Sequence, residues 1–364
     1  FVIRTEPGRV RLIGATDQGA SHAAFRLLEE IGCRWFFPGK AWEVVPSVRD
    51  LDVALDIADR PTILARRIAY GCGFFPDKQQ RPKKDYDAWT RHNRMADSHT
   101  VACSHAWQAI IINNQAVIDT HLEYLALVNG ERRKPQLCVS NPAVRKMMVD
   151  WVLAQARLRP ERDMISLELS DGMNHCECAE CAKLGDVSER AFGIANEAAR
   201  ALAKEFPGKM IGMLAYGDHS APPTFALEPN VYVQITAGFT YGRHTFDELT
   251  DVWPKQAART GYYLYFSVWP WDFDMLTRGK AANLAELREQ IPLLVRKGAS
   301  SFTCESGNNW GLHGRGYYVA HRLMWNPDVD VDALLQDFYT KAFGPAAPAM
   351  QRYYERTDPG NKPL

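Results

Sequence analysis

Short apolar runs alternate with amphipathic stretches along most of the chain. From residue 62 onward, eight runs have the composition of strands: 63–69, 100–104, 136–140, 164–170, 210–216, 231–236, 262–267 and 301–306. Most of the stretches between them repeat apolar residues at helical spacing. Strands that alternate with helices eight times are typical of a (β/α)8 barrel. The pattern therefore predicts an α/β protein with a TIM barrel over residues 61–364, and a doubly wound parallel sheet is the structural alternative.

The first 60 residues have a different pattern, in which strand, helix and strand follow in short succession. Ala24, Leu27 and Leu28 fall on one face of a predicted helix over residues 21–30, and Gly32 indicates its end. We expect residues 1–60 to form a small α/β domain. That domain is expected to be truncated, because residues 1–3 have the composition of the middle of a strand.

The composition excludes several classes of protein. Apolar residues make up 46% of the chain and charged residues 24%, which excludes a disordered chain or a collagen. The chain has 43 Lys and Arg against 43 Asp and Glu, whereas a nucleic-acid-binding protein usually has a basic surplus. No apolar run reaches the ~18 residues that indicate a membrane span. We therefore expect neither a nucleic-acid partner nor a membrane span.

Carboxylates and aromatic residues follow the predicted strands, where a barrel collects its functional residues. This composition is typical of a carbohydrate site, because acids protonate glycosidic oxygens and rings stack on sugars. We predict Glu305, after the eighth strand, as general acid/base, and Asp171, after the fourth, as the group that orients or polarises the reacting atoms. The candidate substrate-binding residues at the same strand ends are Tyr216, His105, Asp218, Trp269, Asp272 and Trp310.

Each of these residues also has a structural interpretation. Asp171 suits an ordinary turn, and the tryptophans suit core packing. Glu168 either faces the barrel mouth or is a structural charge, and His219 either binds a hydroxyl or is a structural histidine. Strands four and eight lie opposite each other in a barrel, so an inverting pair ~6.5–9.5 Å apart, or substrate assistance, suits the two acids better than a retaining pair ~5 Å apart.

Three of the eight cysteines lie close together, as Cys176, Cys178 and Cys181. Three thiolates within six residues could bind a structural zinc ion, with His175 or Asp171 as the fourth ligand. A disulfide within the run and free thiols are the alternatives. In each case we expect the run to fix the loop after the fourth strand. The other cysteines, which are predicted to be buried free thiols, are Cys33, Cys72, Cys103, Cys138 and Cys304.

The motif Ser170-Asp171-Gly172, followed by Cys176-x-Cys178-x-x-Cys181, resembles the signature of a bacterial domain family of unknown function whose characterised members form glycoside hydrolase family 163. Further similar segments extend the resemblance over residues 62–355, among them Gln136-Leu137-Cys138-x-Ser140-Asn141-Pro142 and Leu323-Met324-Trp325-Asn326-Pro327. The resemblance implies a secreted or periplasmic TIM-barrel enzyme with endo-β-N-acetylglucosaminidase activity on N-glycans. Residues 14–38 resemble the small α/β domain that precedes the barrel in α-glucuronidases and β-hexosaminidases.

Together these observations predict a glycoside hydrolase that acts on complex glycans and requires no cofactor for catalysis. The first alternative is an α-glucuronidase-like hydrolase, in which Arg243, Arg278 or Arg315 would pair with the uronate carboxylate. The second alternative is a non-catalytic glycan-binding barrel. Acids that converge on a cleft favour the enzyme, whereas acids locked in arginine pairs favour the binding protein.

Overall fold

The computed structural model describes residues 1–69, 81–95, 100–267 and 279–361. The predictions made for Trp269, Asp272, Arg278 and Cys72 lie outside these residues. Within them, no helix combines the length and the apolar character that crossing a membrane requires.

The chain has a mixed α/β fold. In the described residues, the strands are β1 (Val2–Glu6), β2 (Arg9–Ile13), β3 (Arg34–Trp35), β4 (Glu43–Val44), β5 (Asp56–Ala58), β6 (Ala65–Ala69), β7 (Leu125–Val128), β8 (Glu131–Leu137), β9 (Met164–Ser166), β10 (Met210–Gly217), β11 (Val231–Thr240), β12 (Arg259–Tyr265) and β13 (Ser301–Glu305). The α-helices are α1 (Asp17–Glu30), α2 (Arg81–His92), α3 (Ala106–Asn113), α4 (Gln115–Ile118), α5 (Pro142–Leu158), α6 (Ala179–Lys183), α7 (Val187–Glu205), α8 (Phe246–Gln256), α9 (Leu284–Arg296), α10 (Trp310–Trp325), α11 (Val331–Phe343) and α12 (Ala347–Thr357). Short 3-10 helices span Lys40–Trp42, Leu122–Tyr124, Lys280–Ala282 and Gly344–Ala346.

The chain divides into two compact units. Unit 1 consists of Phe1–Ser98, Leu264–Arg296 and Phe302–Leu364, and unit 2 consists of His99–Tyr263 and Lys297–Ser301. The expected boundary between a small domain at 1–60 and a barrel at 61–364 stays a prediction.

Unit 2 contains parallel strands that are neighbours in the order in which the chain forms them, β9, β10, β11 and β12. The strand interiors are apolar, and Val231, Val233 and Ile235 of β11 are buried. Helix α7, which joins β9 to β10, begins after Asp186, whose side chain accepts a hydrogen bond from the Glu189 N–H. Its apolar residues recur at helical spacing and are buried, so tertiary packing stabilises the helix. This is the strand–helix alternation that the sequence predicts.

Unit 1 contains β6 beside β13, and β13 beside the end of β12. The Ser306 N–H donates to the Ala69 carbonyl over 2.9 Å, and the Phe266 N–H donates to the Glu305 carbonyl over 2.8 Å. The first and the last predicted barrel strands are therefore neighbours within unit 1. The unit also contains a three-stranded antiparallel sheet in the order β2-β1-β5, next in sequence to α1. Thr16 caps α1 by accepting the Gly19 N–H, so this helix begins earlier than the predicted residue 21.

Two of the eight predicted barrel strands differ in the structure. Residues 100–104 form no strand, although the next residue, His105, makes an isolated parallel bridge with Glu168. Residues 136–140 only begin in a strand, which is the end of β8 in an antiparallel hairpin with β7. Asn129 and Gly130 have φ angles of 52° and 82°, the left-handed values that a tight hairpin turn needs. A closed eight-stranded barrel therefore stays a prediction.

Candidate functional site

Asp171 lies in the loop that follows β9, and its side chain is 68% exposed. The next residue, Gly172, has a φ angle of 89°, which glycine adopts without the steric penalty of a side chain. The loop turns there, and the Gly172 N–H donates to Oδ1 of Asp171 over 2.9 Å. The turn interpretation of Asp171 is thus correct, and the same turn leaves the carboxylate accessible.

Two predicted substrate-binding residues meet the same carboxylate oxygen. The hydroxyl of Tyr216, in β10, donates to Oδ1 of Asp171 over 3.1 Å. Nε2 of His105 lies 3.7 Å from that oxygen, while its Nδ1 donates to the Leu169 carbonyl over 2.6 Å. No described residue donates a hydrogen bond to Oδ2 of Asp171. One oxygen is therefore held by the protein, and the other can accept a hydrogen bond from a ligand.

Glu168 forms a buried pair with His219. The carboxylate is fully buried; its Oε1 lies 2.6 Å from Nε2 of His219, and its Oε2 accepts the Leu214 N–H over 2.7 Å. Nε2 is the ring nitrogen of His219 that faces Oε1, whereas its Nδ1 is buried and has no hydrogen-bond partner among the described residues. Both carboxylate oxygens are thus occupied by the protein, which supports the structural interpretation of Glu168.

Asp218 faces His175, since its Oδ2 lies 3.4 Å from Nε2 of the histidine. Burial, together with the nearby His219, lowers the pKa of His175 to about 4, although Asp218 acts in the opposite direction. The imidazole is consequently neutral near pH 7. Asp218, predicted to bind substrate, has a protein partner and remains 27% exposed.

Glu305 is the last residue of β13 in unit 1, and it is half-buried. Its backbone carbonyl accepts the Phe266 N–H over 2.8 Å, and Cys304 before it is fully buried. This backbone pairing fixes the carboxyl end of the strand, where the sequence predicts the general acid/base. The catalytic role of Glu305 stays a prediction.

Trp310 begins α10 and lies among other aromatic rings of unit 1. Its ring centroid is 4.7 Å from that of Trp89 and 5.0 Å from that of Tyr317, both in edge-on arrangements. Such pairs are a usual mode of aromatic packing. The contacts account for Trp310 as a packing residue, and its role as a sugar platform stays a prediction.

Arg315 is not available to a uronate. Its guanidinium is buried, donates to Asp358 over 3.0 Å and to the Ala282 carbonyl over 3.1 Å, and lies over the ring of Tyr354. The expectation that this residue pairs with a substrate carboxylate is wrong, because Asp358 already neutralises its charge inside unit 1.

The cysteines of the run meet a fourth cysteine that the sequence does not single out. The sulfurs of Cys138, Cys176, Cys178 and Cys181 lie within 4.8 Å of one another. Cys138, predicted to be an isolated buried thiol, takes the place expected for His175 or Asp171, which both have other partners. It lies 40 residues before Cys178, so no local spacing indicates it.

A family model described as "Domain of unknown function (DUF4838)" matches residues 37–355. The chain belongs to the DUF4838 family. This membership agrees with the resemblance carried by the Ser-Asp-Gly and cysteine motifs, and membership of glycoside hydrolase family 163 stays a prediction. No curated protein matches this DUF4838 chain significantly.

Solved structures similar to the DUF4838 chain are glycoside hydrolases at low sequence identity. A family 115 4-O-methyl-α-glucuronidase with specificity for decorated arabinogalactans has a TM-score of 0.62 and 12% identity over 98% of this chain. A family 89 glycoside hydrolase from Clostridium perfringens, in complex with PUGNAc, has a TM-score of 0.64 and 9% identity over 96% of it. The protein CpGH84B has a TM-score of 0.56 and 11% identity over 97%. At identities of 9–12%, the likeness establishes a shared fold alone. The chain spans 52%, 48% and 62% of the lengths of these neighbours.

Proposed function

We propose that this DUF4838 protein is a glycoside hydrolase and that Asp171 orients its substrate. The observation that carries the proposal is the convergence of Tyr216, His105 and the Gly172 N–H on one oxygen of an exposed carboxylate. The group lies where β9 and β10 end, the edge at which parallel α/β folds place their catalytic groups. The fold shared with three glycoside hydrolases supports the same conclusion.

The partners of Asp171 favour an enzyme over a glycan-binding protein. Among the described residues, the carboxylate contacts a tyrosine, a histidine and a backbone N–H, and no arginine. An arginine pair would neutralise the carboxylate and hold both of its oxygens. Here Oδ2 can accept a hydrogen bond from a sugar hydroxyl or from an acetamido N–H.

We infer a substrate-assisted reaction on a glycan that contains N-acetylglucosamine. In this reaction the acetamido oxygen attacks the anomeric carbon and forms an oxazolinium ring, while the C–O bond to the leaving sugar breaks. Asp171 holds the acetamido N–H, and a carboxylic acid, for which the sequence predicts Glu305, gives its proton to the leaving oxygen. Water then opens the ring and returns a proton to that acid. The family 89 neighbour was solved with PUGNAc, which makes that compound a suitable probe for this chain.

The proposal extends to a closed barrel, an N-glycan substrate and a location outside the cytoplasm. A closed TIM barrel brings the ends of its strands to one face, which suits a site formed by several strand ends. An endo-acting enzyme for N-glycans, as in family 163, meets such large substrates outside the cytoplasm, so we propose a secreted or periplasmic location.

Mass spectrometry of sugars released from a mixed panel tests the function. The panel contains complex N-glycans, chitooligosaccharides and glucuronoxylan, and the variants are Asp171→Asn and Glu305→Gln. We expect each variant to lose about 10²-fold or more in rate on the panel member that the wild type cleaves. Release from glucuronoxylan alone would favour the α-glucuronidase alternative.

Matched controls separate catalytic loss from damage to the fold. Asp150→Asn changes an exposed carboxylate in unit 2 that pairs with Lys146, and Glu289→Gln changes an exposed one in unit 1. Both should retain wild-type rates. An aryl glycoside with a good leaving group needs no protonation by the enzyme. On this substrate the activity of Glu305→Gln should recover more than that of Asp171→Asn, because only Glu305→Gln lacks the acid. Glycan binding without any product would instead identify a binding protein.

A further inference from the structure

We propose that Cys138, Cys176, Cys178 and Cys181 bind one structural zinc ion. The sulfurs of Cys138 and Cys178 are 3.7 Å apart, and those of Cys138 and Cys181 are 3.8 Å apart. Tetrahedral zinc with Zn–S bonds of about 2.3 Å places its sulfurs about 3.8 Å from one another. A disulfide needs about 2.05 Å, so these two pairs have the spacing of metal ligands and not of a covalent bond.

The four ligands come from three separate pieces of unit 2. Cys138 directly follows β8, Cys176 lies in the loop after β9, and Cys178 and Cys181 lie at the start of α6. Cys138, Cys176 and Cys181 are buried, with exposures of 3%, 5% and 0%. Four protein ligands leave no open position on a tetrahedral metal, so the site is structural and not catalytic.

The surroundings of the cluster suit four thiolates around a divalent cation, which carry a net negative charge. The Leu127 N–H donates to Sγ of Cys176 over 3.3 Å, and the Cys181 N–H donates to Sγ of Cys178 over 3.4 Å. The Ser140 hydroxyl lies 3.2 Å from Sγ of Cys181, and Nη1 of Arg132 lies 3.7 Å from Sγ of Cys176. Hydrogen bonds to ligating atoms of this kind orient the ligands and offset their charge.

The zinc ion would join the β7–β8 hairpin to the loop that carries Asp171. Hydrogen bonds also connect this hairpin with this loop. Gln136 Nε2 donates to the Ser170 carbonyl over 2.7 Å, and the Glu177 N–H donates to the Leu127 carbonyl over 2.8 Å. Asp171 itself lies in a stretch without helix or strand. The metal therefore holds this loop in place, and its loss should loosen the loop without removing any group of the candidate site.

Metal analysis of the purified chain tests the proposal without an activity assay. The protein is refolded with zinc under reducing conditions, freed of unbound metal and analysed by inductively coupled plasma mass spectrometry. We expect one zinc ion per chain and a lower thermal midpoint after removal by a chelator. Each of Cys138→Ser, Cys176→Ser, Cys178→Ser and Cys181→Ser should reduce the zinc content at least about 10-fold. Cys103→Ala, at another cysteine of unit 2, should keep it.

A second measurement applies even if the serine variants fail to fold. Cobalt substituted into the wild-type chain should show the absorption bands of tetrahedral cobalt with thiolate ligands. Zinc well below one equivalent in the folded wild type, bound iron in its place, or a disulfide between cluster cysteines in the peptide map would overturn the proposal. Full zinc retention by Cys138→Ser would overturn the assignment of the fourth ligand.

Discussion

Nε2 of His219 lies 2.6 Å from Oε1 of Glu168, and both side chains are buried. The second carboxylate oxygen accepts the Leu214 N–H, while the Glu168 carbonyl accepts the N–H groups of Ala106 and Trp107. One residue thus contacts β10, the start of α3 and the segment after β10. Its role is to position the segments that carry Asp171, Tyr216 and His105, which are the loop after β9, the end of β10 and the residue before α3.

Removing His219 should destabilise unit 2 strongly. His219→Ala leaves a buried carboxylate without its imidazole partner, and breaking a buried pair in this way costs about 3–5 kcal/mol. Urea denaturation at pH 7 measures the free energy of unfolding. His121→Ala, at an exposed histidine of the same unit, should change it by less than about 0.5 kcal/mol. A His219→Ala variant within about 1 kcal/mol of wild type would contradict the positioning role.

Tyr216→Phe should reduce activity without reducing stability much. The substitution removes the hydroxyl that donates to Oδ1 of Asp171 over 3.1 Å and keeps the ring. We expect about a 10-fold loss in kcat/KM on the substrate found with the glycan panel, because a hydrogen bond to a charged group in an exposed site is worth about 1.5 kcal/mol. The exposed Tyr241→Phe is the matched control and should behave as wild type. Equal activity of the two variants would remove Tyr216 from the site.

Part of this arrangement can be predicted from the sequence. The parallel strands of unit 2 are visible as apolar runs, because a strand covered on both faces needs no polar alternation. The β7–β8 hairpin cannot be predicted in the same way, because residues 131–134 of β8 are all charged and lack the apolar pattern of a strand. Asn129-Gly130 is nevertheless a sequence signal for a hairpin turn. The candidate site residues can be predicted because parallel α/β folds place functional residues at the carboxyl ends of their strands.

The contacts among those residues depend on tertiary structure. Tyr216 meets Asp171 only because β10 pairs with β9 in the register Met210 opposite Met164. Cys138 joins the cysteine cluster only because the hairpin brings it there. Neither relationship has a local spacing that a single sequence could reveal.

Replacing Glu29 should destabilise unit 1. Burial raises the pKa of Glu29, but Arg322 and Arg94 outweigh it and lower that pKa to about 2. The carboxylate lies 2.5 Å from Arg322 and 2.6 Å from Arg94, so Glu29→Gln leaves two buried guanidinium groups without their counter-charge. We expect a loss of about 3 kcal/mol or more in urea denaturation at pH 7.

The same pair gives a pH dependence with a defined sign. The pKa of Glu29 is about 2 in the folded chain against 4.5 in the unfolded chain, so its contribution is present above pH 4.5 and is lost as the pH falls towards 2. Glu29→Gln should therefore differ less from wild type at pH 3 than at pH 7. Glu30→Gln, which breaks an i,i+4 pair with Arg26 on the same helix, should cost less than about 1 kcal/mol at either pH.

A buried histidine of α10 should make unit 1 lose stability in mild acid. Burial lowers the pKa of His313 from 6.5 to about 4. Between pH 6.5 and about pH 4, His313 binds a proton in the unfolded chain but not in the folded chain. The free energy of unfolding therefore falls as the pH falls. His313→Gln should remove about 2 kcal/mol of the loss between pH 7 and pH 4.5, measured by urea denaturation at both pH values. Val319→Ala, at a buried apolar position of the same helix, should lower both values equally. If the two variants show the same pH slope, His313 does not supply the acid sensitivity of unit 1.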